Sequence, residues 1–170
     1  MNFIEGLREE AKKNIQKIVL PEGNEERTLK AADYALGHQI AEIILIGNPT
    51  EIKDLAQKYE LKNIINAEII DPNDFEAFEK NVDLLLEIRG KKIKSREDGE
   101  KLVRNPLYLA TLLVKSGIAD GEVAGAENST GDVLRPAFQI VKTLPGISVV
   151  SGAFFMVFEN KEIGDNGIIT

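Results

Sequence analysis

Apolar positions recur along this chain in two alternating rhythms, helical spacing and short continuous runs, and that alternation predicts a layered α/β fold. Residues 2–14 set Phe3, Ile4, Leu7 and Ala11 on one face of a helix, and Ile18-Val19-Leu20 follows as a strand. Pro21-Glu22-Gly23 ends that strand, Asn24 is the expected N-cap of a helix carrying Leu29, Ala32 and Leu36, and Gly37 is its stop. A second strand, Glu42 to Ile46, is closed by Gly47-Asn48-Pro49; a helix runs from about Thr50 to Tyr59, and Glu68-Ile69-Ile70 makes a third strand before Asp71-Pro72. Ile43 to Ile46 is apolar without alternation, as in a parallel strand covered by helices on both faces.

The second half continues the pattern. Phe75, Phe78, Val82, Leu85 and Ile88 predict a helix from Phe75 to about Arg89, Ser95 caps a short one, and Pro106 opens another that carries Leu109, Leu112 and Leu113 and stops at Gly117. Ile118 to Val123 reads as a strand and Val133 to Val141 as a helix. After Pro145-Gly146 the run Ile147 to Phe158 reads as a strand, Glu159 to Asp165 as a turn, and Gly167-Ile168-Ile169-Thr170 as a second strand. An apolar hairpin of this kind needs a cover, either further chain or a partner such as a second copy. The expected division is a first α/β domain at 1–146, without the segment that would complete it, and the opening strands of a second domain at 147–170.

Between the predicted strand at 118–123 and the helix after it lies Ala124-Gly125-Ala126-Glu127-Asn128-Ser129-Thr130-Gly131-Asp132-Val133-Leu134-Arg135-Pro136. Small residues, two hydroxyls and an arginine at a strand-loop-helix transition make an anion-binding corner: free N–H groups at a helix start attract negative charge, and Ser129 or Thr130 can cap the helix and face a ligand. Arg135 adds a planar cation suited to phosphate or carboxylate. The same residues also make an ordinary capped helix with a solvated arginine. Glu127 and Asp132 sit uncomfortably beside an anion. The densest basic cluster, Arg89, Lys91, Lys92, Lys94 and Arg96, reads first as a solvated helix end complementing the helix dipole. Glu22 and Arg27 stand at a strand end where such sheets hold ligands, and serve equally as a turn and a first helical turn. His38, just past Gly37, reads as a surface residue, and Asp120 with Glu122 lack the further ligands of a metal site.

At 170 residues, with 43% hydrophobic and 29% charged, the composition fits one packed domain or one domain and part of another. No apolar run approaches the roughly 20 residues of a membrane span, and the N-terminus lacks the pattern of a signal peptide, so no membrane partner and a cytoplasmic location are expected. Without cysteine there is no disulfide, thiolate metal site or cysteine nucleophile. A net charge of −7 disfavours nucleic acid as a partner, while leaving room for a local basic pocket.

Three segments, taken in order and spacing, carry a resemblance: Lys17-Ile18-Val19-Leu20-Pro21-Glu22-Gly23-Asn24-Glu25-Glu26-Arg27-Thr28-Leu29-Lys30-Ala31-Ala32, Asn105-Pro106-Leu107-Tyr108, and Ser129 to Ile140. Together they resemble the phosphate acetyl/butyryltransferase family over almost the whole chain. The resemblance implies a three-layer α/β/α fold with a mostly parallel sheet, like that of isocitrate and isopropylmalate dehydrogenases, here incomplete. It implies acyl transfer between coenzyme A and inorganic phosphate, acetyl-CoA plus phosphate giving acetyl phosphate plus CoA, with no metal or other cofactor. Arg89, Ser129, Thr130 and Arg135 match the family's substrate-binding positions. The base aspartate and its serine-arginine pair belong to a half with no counterpart in these 170 residues, so no catalytic residue is assigned and the chain alone is expected to be inactive. Butyryl transfer and a noncatalytic CoA- or phosphate-binding module are the alternatives.

Overall fold

The continuous apolar runs become the strands of one parallel sheet. β1 (Gln16–Leu20), β2 (Ala41–Ile46), β3 (Glu68–Ile70) and β4 (Gly121–Glu122) lie in the order β3-β2-β1-β4, each neighbouring pair parallel. The computed structural model describes residues 3–74, 76–165 and 167–170. Register sets Val19 beside Ile44 and Leu20 beside Leu45. Side chains alternate between sheet faces, so Val19, Ile44 and Ile46 enter one core and Leu20, Ile43 and Leu45 the other.

Helices cover both faces. α2 (Glu26–Gly37) and α3 (Pro49–Lys58) bring Leu29, Ala32, Ile52 and Ala56 to the second core. α4 (Phe78–Arg89), α5 (Arg96–Val103) and α6 (Pro106–Lys115) bring Val82, Leu85, Val103, Leu109, Leu112 and Leu113 to the first. This is the three-layer α/β/α arrangement that the alternation predicts. Asn48, Ser95 and Asn105 cap α3, α5 and α6, each side chain accepting from backbone N–H groups in the first turn. Among the described residues no helix is long and apolar enough to cross a membrane.

Differences from the expected pattern have local causes. Glu25 rather than Asn24 caps α2, accepting from the Thr28 N–H at 2.8 Å, because the Asn24 amide turns to Glu51 at 2.6 Å. α1 (Phe3–Lys13) forms as expected, yet none of its residues is buried and Ile4 and Leu7 stay exposed. Phe75 lies outside the described residues, and the helix expected from there begins at Phe78. The predicted strand at 118–123 contracts to the two residues of β4, which bond only to β1 at the sheet edge. The apolar run at 147–158 forms only β5 (Met156–Val157), paired antiparallel with β6 (Ile168–Ile169). A ladder needs a partner for each N–H and C=O, and β6 supplies one for two residues only.

The helix expected at Val133 starts earlier, as α7 (Thr130–Pro136), because Ser129 caps it. Pro136 contributes no N–H to the helical ladder. The chain continues through a π-helical turn, Ala137–Val141, closed by the Lys142 N–H donating to the Ala137 carbonyl at 3.0 Å.

Ile44 is fully buried on the central strand β2, so Ile44→Ala is expected to lower unfolding free energy by about 2–5 kcal/mol. Ile65, 87% exposed, serves as the control, with Ile65→Ala staying within about 0.5 kcal/mol. Urea unfolding of both variants checks this, and equal losses would contradict a core centred on β2.

Candidate functional site

From β1 the chain moves to β2 on one side, while β4 occupies the other, which makes the carboxyl ends of β1 and β4 the topological switch point of the sheet. Open α/β sheets gather ligands at such a crevice. Here the crevice holds a side chain of the protein itself. Glu22, just past β1 and only 6% exposed, receives five hydrogen bonds from the loop after β4. The N–H groups of Gly125 and Ala126 donate to Oε2 at 2.9 and 2.7 Å; those of Glu127 and Asn128 donate to Oε1 at 2.8 and 2.9 Å. The Asn128 amide adds a fifth at 2.8 Å. The loop turns through Gly125 at φ +108°, in the region that favours glycine.

Four successive N–H groups converging on one anion form a backbone nest. The free N–H groups expected from the sequence are those at the start of the following helix; the four N–H groups of the loop before it are taken by Glu22. Burial alone pushes the Glu22 carboxyl up, but the N–H groups of Glu127, Ala126 and Asn128 and the Asn128 amide bond its charged form and hold it down at about 2. Arg27 braces the same turn, donating to the Ala126 carbonyl and pairing with Glu25 at 2.7 Å.

The residues beyond the nest are partly engaged. The Ser129 hydroxyl accepts from the Asp132 N–H at 3.2 Å and donates to the Asp132 carboxylate at 2.7 Å, so it works as a cap. Thr130 is exposed in the first turn of α7. Arg135, 61% exposed, leans on Asp132 at 3.5 Å.

Arg89 lies elsewhere. It ends α4 and lines a cleft of about 660 Å³ with Lys91, Lys92, Gln139 and Lys142, and its Nε is buried without a hydrogen-bond partner. Ser129, Thr130 and Arg135 are not among the residues lining that cleft. The basic cluster divides here: Arg96 turns to Asp83 at 2.8 Å and to Glu79, while Arg89, Lys91 and Lys92 line the cleft. A larger cavity of about 690 Å³, beside α3 and β3, contains none of the predicted site residues. Asp120 ties down the start of β1, accepting from the Lys17 N–H at 2.8 Å, and His38 stacks on Tyr34 at the end of α2.

The sequence matches the model of the phosphate acetyl/butaryl transferase family over residues 2–168. The chain belongs to this family. It is 45% identical over 168 residues to a phosphate acetyltransferase of Thermoanaerobacterium thermosaccharolyticum, covering 99% of this chain and 50% of that protein. It is 41% identical over 169 residues to one of Clostridium acetobutylicum, with coverage of 99% and 50%. Among solved structures, a phosphotransacetylase from Streptococcus pyogenes superposes with a TM-score of 0.87 at 40% identity, covering 95% of this chain and 49% of that one. Another from Staphylococcus aureus gives 0.83 at 42%, with coverage of 91% and 46%. The chain thus spans about half the length of the phosphate acetyl/butaryl transferase relatives it matches.

Glu22 is the residue that sequence reasoning left undecided. Its signal was its place at a strand end, but its partners lie 103 to 106 residues away and no local pattern announces them.

A group whose folded value is held near 2 against an ordinary 4.5 stabilises the fold fully above 4.5, and that contribution disappears as pH falls through 2. Glu22→Gln is therefore expected to lose about 3 kcal/mol of stability at neutral pH. The gap to the unsubstituted protein should narrow between pH 4.5 and 2. Denaturant unfolding at several pH values checks this; a gap independent of pH would remove the charge from the explanation.

Proposed function

We propose that this chain is the coenzyme A- and phosphate-binding half of a phosphate acetyltransferase, whose reaction exchanges acetyl-CoA and phosphate for acetyl phosphate and CoA. The observation that carries the reading is the basic cleft at the end of α4. On a chain of net charge −7, Arg89, Lys91, Lys92 and Lys142 line one space of about 660 Å³ against a single carboxylate, Glu87, and Arg89 has a buried N–H with no protein acceptor. Both substrates are polyanions, and guanidinium groups give phosphates short, charge-assisted hydrogen bonds. Family membership and relatives named phosphate acetyltransferase support the same chemistry.

Arg89 is the principal phosphate contact and Arg135 a second, with Thr130 offering a hydroxyl. Ser129 acts through its cap, holding α7 in place for Arg135. Coenzyme A enters as substrate and no further cofactor is invoked. The protein works in the cytoplasm on small molecules, and a second copy is the expected cover for the exposed apolar side chains of Phe154, Phe155 and Met156. The base and its serine-arginine pair belong to the portion of the family outside this chain, so binding is the direct readout here.

Arg89→Ala should weaken CoA binding about ten- to a hundredfold by calorimetry, the scale of a hydrogen bond to a charged group. Arg96→Ala removes a cation already paired with Asp83 and Glu79 and should leave CoA affinity unchanged. Equal effects of the two would point to diffuse charge rather than a site. Thioester formation from CoA and acetyl phosphate should be undetectable with the 170-residue chain; turnover would place the missing groups within it.

A further inference from the structure

The cavity of about 690 Å³ beside α3 and β3 shares no lining residue with the basic cleft. It lies on the other face of the sheet. Ala56, Ile64 and Ile69 in its walls belong to or pack against the core under α2 and α3, whereas α4, which carries Arg89, covers the opposite core. Its volume is that of a small-molecule site. One wall is a single face of α3, where Lys53, Ala56 and Gln57 recur at helical spacing. The other is the chain that leads into β3, where Leu61 and Ile69 are half-buried and Ile65 is 87% exposed. Among the described residues β3 is the last strand of the sheet on this side.

The charge lining this apolar space is of one sign. Lys53 and Lys62 are its charged side chains, and no carboxylate joins them. Lys53 has Pro49, Thr50, Ala56 and Gln57 at the positions three and four residues away on α3, none of them acidic. Acids near the other wall are engaged elsewhere. Asp33 accepts from the Asn63 N–H at 2.6 Å and from its amide at 3.2 Å, and Glu68 alternates to the far face of the sheet, where it meets Lys17 at 3.4 Å. Asp54 and Glu60, adjacent in sequence, do not line the cavity.

We propose that this cavity is a second ligand site, for a free aliphatic carboxylate whose chain lies along Ile65 and Ile69 and whose charge is met by Lys53 and Lys62. An uncharged apolar molecule gains nothing from the two ammonium groups, and a small hydrophilic anion leaves the apolar wall in water. A molecule with both parts gains from both. The proposal goes beyond the function above and does not depend on it. Its competitor is the ordinary habit of lysine stems to lie over apolar surface with their charges in solvent.

Octanoate is the probe, with octanol keeping only its chain and acetate only its charge. Titrated into the 170-residue chain, octanoate should shift the methyl NMR signals of Ile64, Ile65 and Ile69 and leave that of Ile88, in the basic cleft, unmoved. Octanol should bind about three- to tenfold more weakly, the scale of two exposed ion pairs, and acetate at the same concentration should shift nothing. The double variant Lys53→Gln, Lys62→Gln should lose a similar factor for octanoate and stay within about twofold for octanol. CoA should not displace octanoate. Equal affinity for octanoate and octanol, or no loss in the double variant, overturns the proposal; so do displacement by CoA and shifts confined to the exposed apolar stretch at Ile147, Val149 and Val150. Shifts of the three isoleucine methyls with protein concentration alone would assign the surface to a second copy and overturn it too. The octanoate–octanol comparison uses the unsubstituted chain, so it decides the matter even if the double variant fails to fold.

Discussion

A carboxylate buried at the centre of the switch point, bonded to four consecutive backbone N–H groups, is the contact on which the functional end of this molecule depends. An isolated buried charge is strongly unfavourable in a protein interior and persists only when its oxygens are satisfied. Glu22 meets that condition through the loop at 125–128, and the loop in turn has few other restraints, since β4 before it is two residues long and bonded on one side only. The dependence is mutual. Without Glu22 four N–H groups would be left without acceptors; without the loop Glu22 would be an unpaired charge. The contact also joins the end of β1 to the start of α7 and so fixes where the Ser129 cap and Arg135 stand.

The π-helical turn performs a comparable task one step along the chain. A π-turn widens the helix and recurs at functional sites. Here it follows Pro136, where the ladder is already interrupted, and Tyr108 braces it from α6 by a hydrogen bond to Gln139 at 2.8 Å. The turn places Gln139 in the basic cleft and Phe138 and Val141 in a second cavity of about 340 Å³ walled also by Val114 and Val133, with Lys142 lining both. Lys142 leaves the turn at φ +64°, a backbone region uncommon for a residue with a side chain. One short irregular segment therefore borders both spaces.

Much of the fold was legible in the sequence because its signals are local. Ile43 to Ile46 announced a strand buried on both faces, and Asn105-Pro106 announced a helix start; both follow from the side chains of a few adjacent residues. Ile147 to Phe158 misled for the same reason: its apolar content favours a strand, but strand formation depends on a partner, which lies elsewhere in the chain. The site was legible only as residue types. Small residues, hydroxyls and Arg135 marked an anion-binding corner at a strand-loop-helix turn, yet the acceptor for the loop's N–H groups is Glu22, across more than a hundred positions. Arg89 and Arg96 looked alike in one basic run, and the acidic face of α4 separated them by engaging only Arg96.

That separation bears on where an acidic chain leaves its cations unpaired. Net negative charge repels a phosphate at long range, and ionic screening confines this to about 10 Å at ordinary salt. Within that distance the outcome depends on which cations lack partners. At the switch point the buried Glu22 carboxylate occupies the donors that would otherwise receive an anion, and Glu127 and Asp132 add negative charge around it. At the end of α4 the balance differs: last-turn carbonyls favour cations, Arg89, Lys91 and Lys92 line the cleft there with one carboxylate, Glu87, and the carboxylates of Glu79 and Asp83 are held by Arg96. Arg96 thus keeps those two carboxylates occupied while Arg89 remains available. The crevice where the sheet topology would put a ligand is thus filled by the protein's own carboxylate, and the unpaired cations stand at the helix end beside it.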